Sequence, residues 1–269
     1  MNTGLKNKHV LITGASGGIG LELTSLFLSE GSRVTAAYHN SPAELKRIGR
    51  EWPKQMLAVS ADIRDEAQVK SLFEQANASF GRADILIANA GIANLEEAPV
   101  HRMELKQWEN TLAVNLTGTF LSAKYFFQNL ESYHGDYASL VLVGSTAGVF
   151  GEAWFCDYAT SKAAMHGLLM SLKNEIVHLA PKGRVNLVNP GWTITPMSKD
   201  TLKDPKKVRR ILQTIPMRKT AVPADVANAI LFLASDVMSG HVSGQAITVA
   251  GGMEGRVLFA PEEIRLPGA

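Results

Sequence analysis

The sequence predicts a doubly wound α/β fold in a single domain, with one parallel sheet carrying helices on both faces. Short runs rich in β-branched residues alternate with longer helical patterns, which is the rhythm of βαβ units. Most of those runs are continuously apolar, as strands covered on both faces must be. A glycine-rich turn lies directly between the first strand and the first helix, at the edge where an open parallel sheet binds ligands.

The first strand, His9–Thr13, runs through Val10, Leu11 and Ile12 into the turn, and a helix follows over Ile19–Ser29. The second, Arg33–Tyr38, precedes a helix over Glu44–Glu51, and the third, Met56–Ala61, one over Glu66–Ala78. The fourth, Asp84–Ala88, leads to a single long helical stretch, Leu105–Leu130. The fifth, Leu140–Gly144, precedes Cys156–Leu179; the sixth, Arg184–Val188, precedes Ala224–Leu233; the seventh is Ala246–Val249. No internal repeat or linker divides the chain, so one domain is expected over residues 1–252.

Two segments break the rhythm. Residues 196–220 carry Lys206, Lys207, Arg209 and Arg210 after the sixth strand, where a long insertion is expected to form a substrate lid. Residues 253–269, with Pro261 and Pro267, form a tail that is either disordered or laid over a neighbouring subunit.

Composition narrows the function. With 269 residues, 46% hydrophobic and 19% charged, the chain can bury one large core. A net charge of +2 is too small for a dedicated nucleic-acid binder. The single cysteine, Cys156, excludes an internal disulfide framework and a cysteine-rich zinc site. The scattered histidines give no ligand spacing, so no metal is expected. No run reaches the roughly 18 apolar residues of a membrane span. Met1 to Lys8 lacks the apolar stretch of a secretory signal, and a cytoplasmic protein is expected.

The turn reads Thr13-Gly14-Ala15-Ser16-Gly17-Gly18-Ile19-Gly20. Side chains at 14, 18 and 20 would hold the backbone away from a pyrophosphate, whereas bare N–H groups and a helix N-terminus stabilise its charge. Ser16 and Ile19 belong to the same expected dinucleotide cradle, and no G-K-[ST] follows that would make it a P-loop. A carboxylate at the end of the second strand would accept hydrogen bonds from the adenosine ribose and repel a 2′-phosphate. Here the segment is Tyr38-His39-Asn40-Ser41, with no acid. Asn40 and Ser41 can donate to a phosphate, and His39 or Lys46 can add charge. The reading leans to NADP(H) over NAD(H); a plain polar loop is the other account of these residues.

Tyr158 and Lys162 stand four residues apart, hence on one helical face. A nearby cation stabilises phenolate, lowering the tyrosine pKa towards the working pH, where it serves as acid or base. The spacing alone is weak. Ser145 supplies the context, because it ends the fifth strand at the ligand-binding edge of the sheet.

With these motifs the sequence resembles the short-chain dehydrogenases/reductases, and in particular their 3-oxoacyl-carrier-protein-reductase-like members. The resemblance covers Lys8 to about Gly252. It rests on Thr13–Gly20, Asp62-Ile63, Asn89-Ala90-Gly91, Asn115, Ser145, Tyr158-x-x-x-Lys162 and Asn189-Pro190-Gly191 with Thr193 and Thr195, in that order. It implies a Rossmann-type seven-stranded parallel sheet, assembled as a homotetramer or homodimer. It also implies roles for these residues. Tyr158 protonates the carbonyl oxygen or takes the alcohol proton, and Ser145 holds that oxygen. Lys162 grips the nicotinamide ribose and depresses the tyrosine pKa. Asn115 anchors a water that relays protons to solvent. Asp62 and the Ile63 amide hold adenine, Asn89-Ala90-Gly91 pass along the cofactor, and Pro190, Gly191, Thr193 and Thr195 position the carboxamide. Ala88 departs from the family's usual second Asn before Asn-Ala-Gly.

Phe150, Trp154 and Phe155, between Ser145 and Tyr158, read as one wall of a partly apolar substrate pocket, with Trp192 opposite. Packing of these aromatics at a subunit interface is nearly as good a reading. Glu152 fits a solvent-facing role better than a substrate contact, and the basic insertion fits a solvated helix face better than an acidic carrier's dock. Cys156 suits packing, and His166 suits a contact between subunits. The expected function is an NADP(H)-preferring oxidoreductase that interconverts a ketone or 3-oxoacyl carbonyl and a secondary alcohol. The alternative is a catalytically silent dinucleotide-binding regulator or scaffold on the same fold.

Overall fold

All seven apolar runs become strands that pair in parallel in the order β3-β2-β1-β4-β5-β6-β7. They are β1 (His9–Ile12), β2 (Arg33–Tyr38), β3 (Met56–Ser60), β4 (Ile85–Ala88), β5 (Tyr137–Val143), β6 (Lys182–Pro190) and β7 (Ala246–Val249). This computed structural model describes residues 2–94 and 97–266; residues 267–269 of the tail lie outside them. The central strands β1, β4 and β5 are buried along their whole length, which is why each carries a continuous apolar stretch, Val10 to Ile12, Ile85 to Ala88 and Leu140 to Val143. β1 pairs with β2 from His9↔Arg33 and with β4 from Val10↔Ile85. The strand order reverses between them, and the crevice of a doubly wound sheet opens there.

Helices α1 (Gly18–Ser29) and α2 (Ala43–Glu51) cover one face. Helix α3 (Glu66–Phe80), capped by Asp65 on the N–H groups of Ala67 and Gln68, covers the other. The expected single helix Leu105–Leu130 is instead α4 (Leu105–Leu112), a π-helical turn over Ala113–Thr117, and α5 (Gly118–Ser132). The widened turn holds the wholly buried Asn115, whose side chain bonds to Ile92 on the loop after β4, a connection that competes with regular helix. After β5 come α6 (Thr146–Phe150) and α7 (Cys156–Glu175).

The insertion after β6 folds into α8 (Lys199–Leu202) and α9 (Pro205–Leu212), and α10 (Pro223–Ala234) packs with α1 and α2. Helix α9 starts at Asp204, which caps Lys206 and Lys207, and Pro205 occupies its first turn. Its basic side chains face outward, while Val208, Ile211, Leu212 and Ile215 form a small separate core. The described part of the tail completes that core with Met253, Phe259, Ile264 and Leu266. Gln213 ties it down: its Nε2 donates to Phe259 O at 2.7 Å and its carbonyl accepts from Leu258 N at 2.8 Å. The tail is therefore laid over its own chain's insertion, a third outcome beside the two expected from sequence.

Candidate active site

The glycine turn is clipped to the loop after β4. Thr13 Oγ1 accepts from the N–H groups of Asn89 and Ala90, both at 3.1 Å. Asn89 Nδ2 donates to the carbonyls of Thr13 and Gly14 at 3.0 and 3.1 Å. The side chain expected to run along a cofactor thus holds the turn itself. Gly14 has φ +64°, and a Cβ there would lie 2.7 Å from Ala90 Cα; one at Gly20 would lie 2.2 Å from the Gly14 oxygen. The capping position of α1 is Gly17, with no side-chain cap, so the N–H groups of the first turn are left for a ligand.

A cavity of about 650 Å³ runs from this turn across the ends of β2 and β3 to the start of α7. Gly14, Ser16, Gly18 and Ile19 line one end, with Tyr38, Asn40, Asp62 and Ile63 beside them. Ala90 and Gly91 lie along the floor with Asn89. Ser145, Tyr158 and Lys162 stand at the other end with Pro190, Gly191, Thr193 and Thr195. Ser41 does not line the cavity: it is exposed beyond the end of β2. The Thr195 side chain sits so close over Gly18 that a Cβ there would meet it at 2.9 Å.

Arg64 and Asn110 also line this end and escaped the sequence reading. Arg64 clasps the Asp62 carboxylate through Nη2 at 2.6 Å and Nε at 3.0 Å, and Nη1 reaches Asn110 Oδ1 at 3.1 Å. That guanidinium holds the Asp62 carboxyl below its usual range. His39 Nε2 lies 3.7 Å from the same carboxylate. The signal available in sequence was an arginine two residues after an aspartate in a turn, a pattern with little specificity of its own.

Ser145 caps α6 by accepting from Ala147 N–H at 3.1 Å and lies within hydrogen-bonding reach of the Tyr158 phenol. Tyr158 and Lys162 share one face of α7, with the ammonium 5.9 Å from the ring centroid. Lys162 Nζ donates to Val143 O at 2.9 Å, and burial pushes its pKa down to about 8. Burial pushes the Tyr158 phenol up, Ser145 opposes the rise, and the Glu152 carboxylate adds to it. The four-residue spacing led to the opposite expectation. Burial of the phenol is the largest influence on it, and the lysine 5.9 Å from the ring does not reverse the rise.

Asn115 does not line the cavity. Its Oδ1 accepts from Ile92 N–H at 2.8 Å, while Nδ2 donates to Ile92 O at 2.9 Å and to Ser161 Oγ at 3.0 Å. Gly91 lies between it and the lysine: a Cβ there would be 3.1 Å from Lys162 Nζ and 3.3 Å from Asn115 Oδ1.

Of the four aromatics expected at the substrate, Phe155 and Trp192 line the cavity and Phe150 and Trp154 do not. Gly151, at φ +80°, and Trp154, at φ +73°, turn the chain after α6. Phe150 is left against Gly255 of the tail, and Trp154 is 52% exposed. Glu152, expected to face solvent, is instead half-buried on the cavity wall, and burial pushes its carboxyl up. Glu97 and Lys207 meet at 3.3 Å at the same end. Cys156 Sγ packs 3.7 Å from Met103 Sδ, and His166 is exposed on α7. Among the described residues there is no cluster of three or more His, Cys, Asp or Glu side chains that could hold a metal ion. No helix among them is long and apolar enough to cross a membrane.

Comparison with known proteins bears on the family and the fold. The family model described as Enoyl-(Acyl carrier protein) reductase matches residues 14–254. The chain is 35% identical over 253 residues to the 3-oxoacyl-[acyl-carrier-protein] reductase of Thermotoga maritima, covering 93% of this chain and 98% of the relative. It is 31% identical to glucose 1-dehydrogenase 2 of Bacillus subtilis, covering 93% and 95%. A solved short-chain dehydrogenase/reductase, titled glucose/ribitol dehydrogenase, from Brucella melitensis superposes with a TM-score of 0.82 at 29% identity, covering 92% of this chain and 96% of that one.

Proposed function

The chain belongs to the short-chain dehydrogenase/reductase family, and on that premise we propose that it is an NADP(H)-preferring enzyme with Tyr158 as its general acid and base. The convergence of Ser145, Tyr158 and Lys162 at one end of a cavity whose other end is the glycine turn carries this reading. The residues fit a dinucleotide: the turn is a cradle that Cβ atoms would fill, above a helix N-terminus with no side-chain cap. The absence of an acid from Tyr38-His39-Asn40 supports the phosphorylated form.

When bound, the nicotinamide supplies or accepts the hydride. The chain's own residues manage the proton. In reduction Tyr158 Oη gives its proton to the carbonyl oxygen; in oxidation it takes the proton of the alcohol. Its raised pKa favours the protonated phenol that reduction starts from, and oxidation starts from the phenolate left once that proton has passed to solvent. Ser145 Oγ donates to the same substrate oxygen and fixes it over the phenol. Lys162 would hold the nicotinamide ribose of a bound cofactor, and its charge would offset phenolate as the proton leaves. Asn115 acts as a positioning residue. By fixing Ile92 and the π-helical turn, it sets the Gly91 backbone against Lys162. The insertion over residues 196–220 acts as the lid, and the exposed face of α7 at Ala163, Gly167 and Met170 serves a homodimer or homotetramer.

Mixing the protein with NADPH and a panel of ketones and 3-oxoacyl thioesters should give loss of absorbance at the nicotinamide band. Tyr158→Phe should lower kcat by roughly 100-fold or more while NADPH still binds. An unimpaired Tyr158→Phe variant overturns the assignment of the acid. A higher kcat/KM with NADH overturns the cofactor preference alone.

A further inference from the structure

Beside the reacting groups stands a carboxylate that this chemistry does not use. Glu152 lies seven residues after Ser145 and six before Tyr158. The turn after Gly151, closed by Phe155 N–H on the Glu152 carbonyl at 3.2 Å, fixes its backbone and brings its side chain to the cavity wall. It makes no hydrogen bond or ion pair with any described residue, whereas Glu97 nearby spends its carboxylate on Lys207. Partly withdrawing an acid from water without a hydrogen-bond partner is costly, and such a group is a candidate for completion by a ligand. Burial raises its pKa, Arg210 opposes that rise, and Glu97 adds to it. Glu152 lines the same cavity as Ser145 and Tyr158, and its charge adds to the rise of the Tyr158 pKa.

We propose that Glu152 is the specificity-determining residue of this site: it accepts a hydrogen bond from a second hydroxyl on the substrate, making the preferred substrates diols and hydroxy ketones. The inference rests on the oxidoreductase reading above. The chemistry around the carboxylate selects the ligand. A second carboxylate or a phosphate on the substrate would be repelled, and a plain alkyl group would leave a desolvated acceptor unpaired. Phe155 and Trp192 give the carbon frame an apolar surface, so a hydroxylated ring or chain is held by its frame and oriented by one polar contact. A site built to bond a substrate hydroxyl rejects the analogue lacking it far more strongly than a methylene difference is rejected.

The test compares alcohols that differ by one hydroxyl, cyclohexanol with 1,2-cyclohexanediol and 2-butanol with 2,3-butanediol. Each is assayed with NADP+ for the wild type, Glu152→Leu and Glu152→Gln. In the wild type the diol should lead by roughly tenfold or more in kcat/KM. In Glu152→Leu that ratio should fall at least about tenfold, mainly through the KM of the diol, and Glu152→Gln, which keeps an acceptor oxygen, should restore part of it. Calorimetric titration of the same alcohols into the NADP+-saturated Tyr158→Phe protein, where the reaction is blocked, should show the same ordering. A ratio unchanged by Glu152→Leu overturns the proposal, because a purely structural role would slow both alcohols alike. A wild-type preference for the mono-alcohol overturns it too. Calorimetric preference for the diol without turnover of any alcohol or carbonyl keeps the Glu152 contact and overturns the oxidoreductase reading; neither binding nor turnover overturns both.

Discussion

Replacing Lys162 by Met should make the difference in stability between the two proteins depend on pH. The lysine is buried at the inner end of the cavity, and burial lowers its pKa from 10.5 to about 8 in the folded chain. Between those values the unfolded chain binds the proton more readily than the folded one, so wild-type stability rises with pH there. Integrated from pH 7 to pH 10, that one group contributes about 2.5 kcal/mol of added stability. The methionine variant has no such gain. It also leaves the Val143 carbonyl without its lysine donor. The neutral amine present above pH 8 can still donate to that carbonyl, and the difference between ammonium and amine is already contained in the folded-state pKa, so this loss enters as an offset common to the series. The assay is urea unfolding of both proteins without nucleotide, at one protein concentration, at pH 7, 8.5 and 10. The free-energy gap should move in favour of the wild type by about 2.5 kcal/mol across the series, most of it above pH 8. Parallel pH profiles would show that the ammonium is hydrated in the folded protein and that the desolvation argument is wrong.

Two further outcomes test the scaffold around the site. Asn115→Ala removes two hydrogen bonds to Ile92 and one to Ser161 from a fully buried position. It should cost about 2–3 kcal/mol in urea unfolding, and a loss under about 0.5 kcal/mol would show that the π-helical turn holds without its amide. Ending the chain at Gly252 strips Phe259, Ile264 and Leu266 from the small core under α9. Trypsin should then cut at Lys206 or Arg209 several-fold faster while the dissociation constant for NADPH stays within about twofold; unchanged cleavage would mean the insertion holds its shape without the tail.

The fold was legible because its signals are local and repeated. Each strand is an apolar run, and the sheet buries β1, β4 and β5 so completely that no polar residue interrupts them from Val10 to Ile12, from Ile85 to Ala88 or from Leu140 to Val143. The glycine turn was legible for a related reason: backbone close approach leaves a mark in residue type at Gly14 and Gly20. Partnership across space leaves no such mark. Asn115 sits in what reads as ordinary helix, and only its two bonds to Ile92, twenty-three positions away, explain the widened turn. Arg64 takes its meaning from Asp62 and from Asn110 on a different element. The aromatic segment shows the same limit in reverse. Phe150, Trp154 and Phe155 carry one signal in sequence, yet the turns at Gly151 and Trp154 send only Phe155 to the cavity and bring Glu152 with it. The direction of the Tyr158 pKa also depended on burial rather than spacing. Four residues on a helix fix how far the lysine lies from the phenol, but the dielectric between them is set by everything packed over β5 and α7. Sequence therefore specifies which groups meet at this site more securely than it specifies their ionisation, because meeting is decided by helical geometry and ionisation by the surrounding low-dielectric packing.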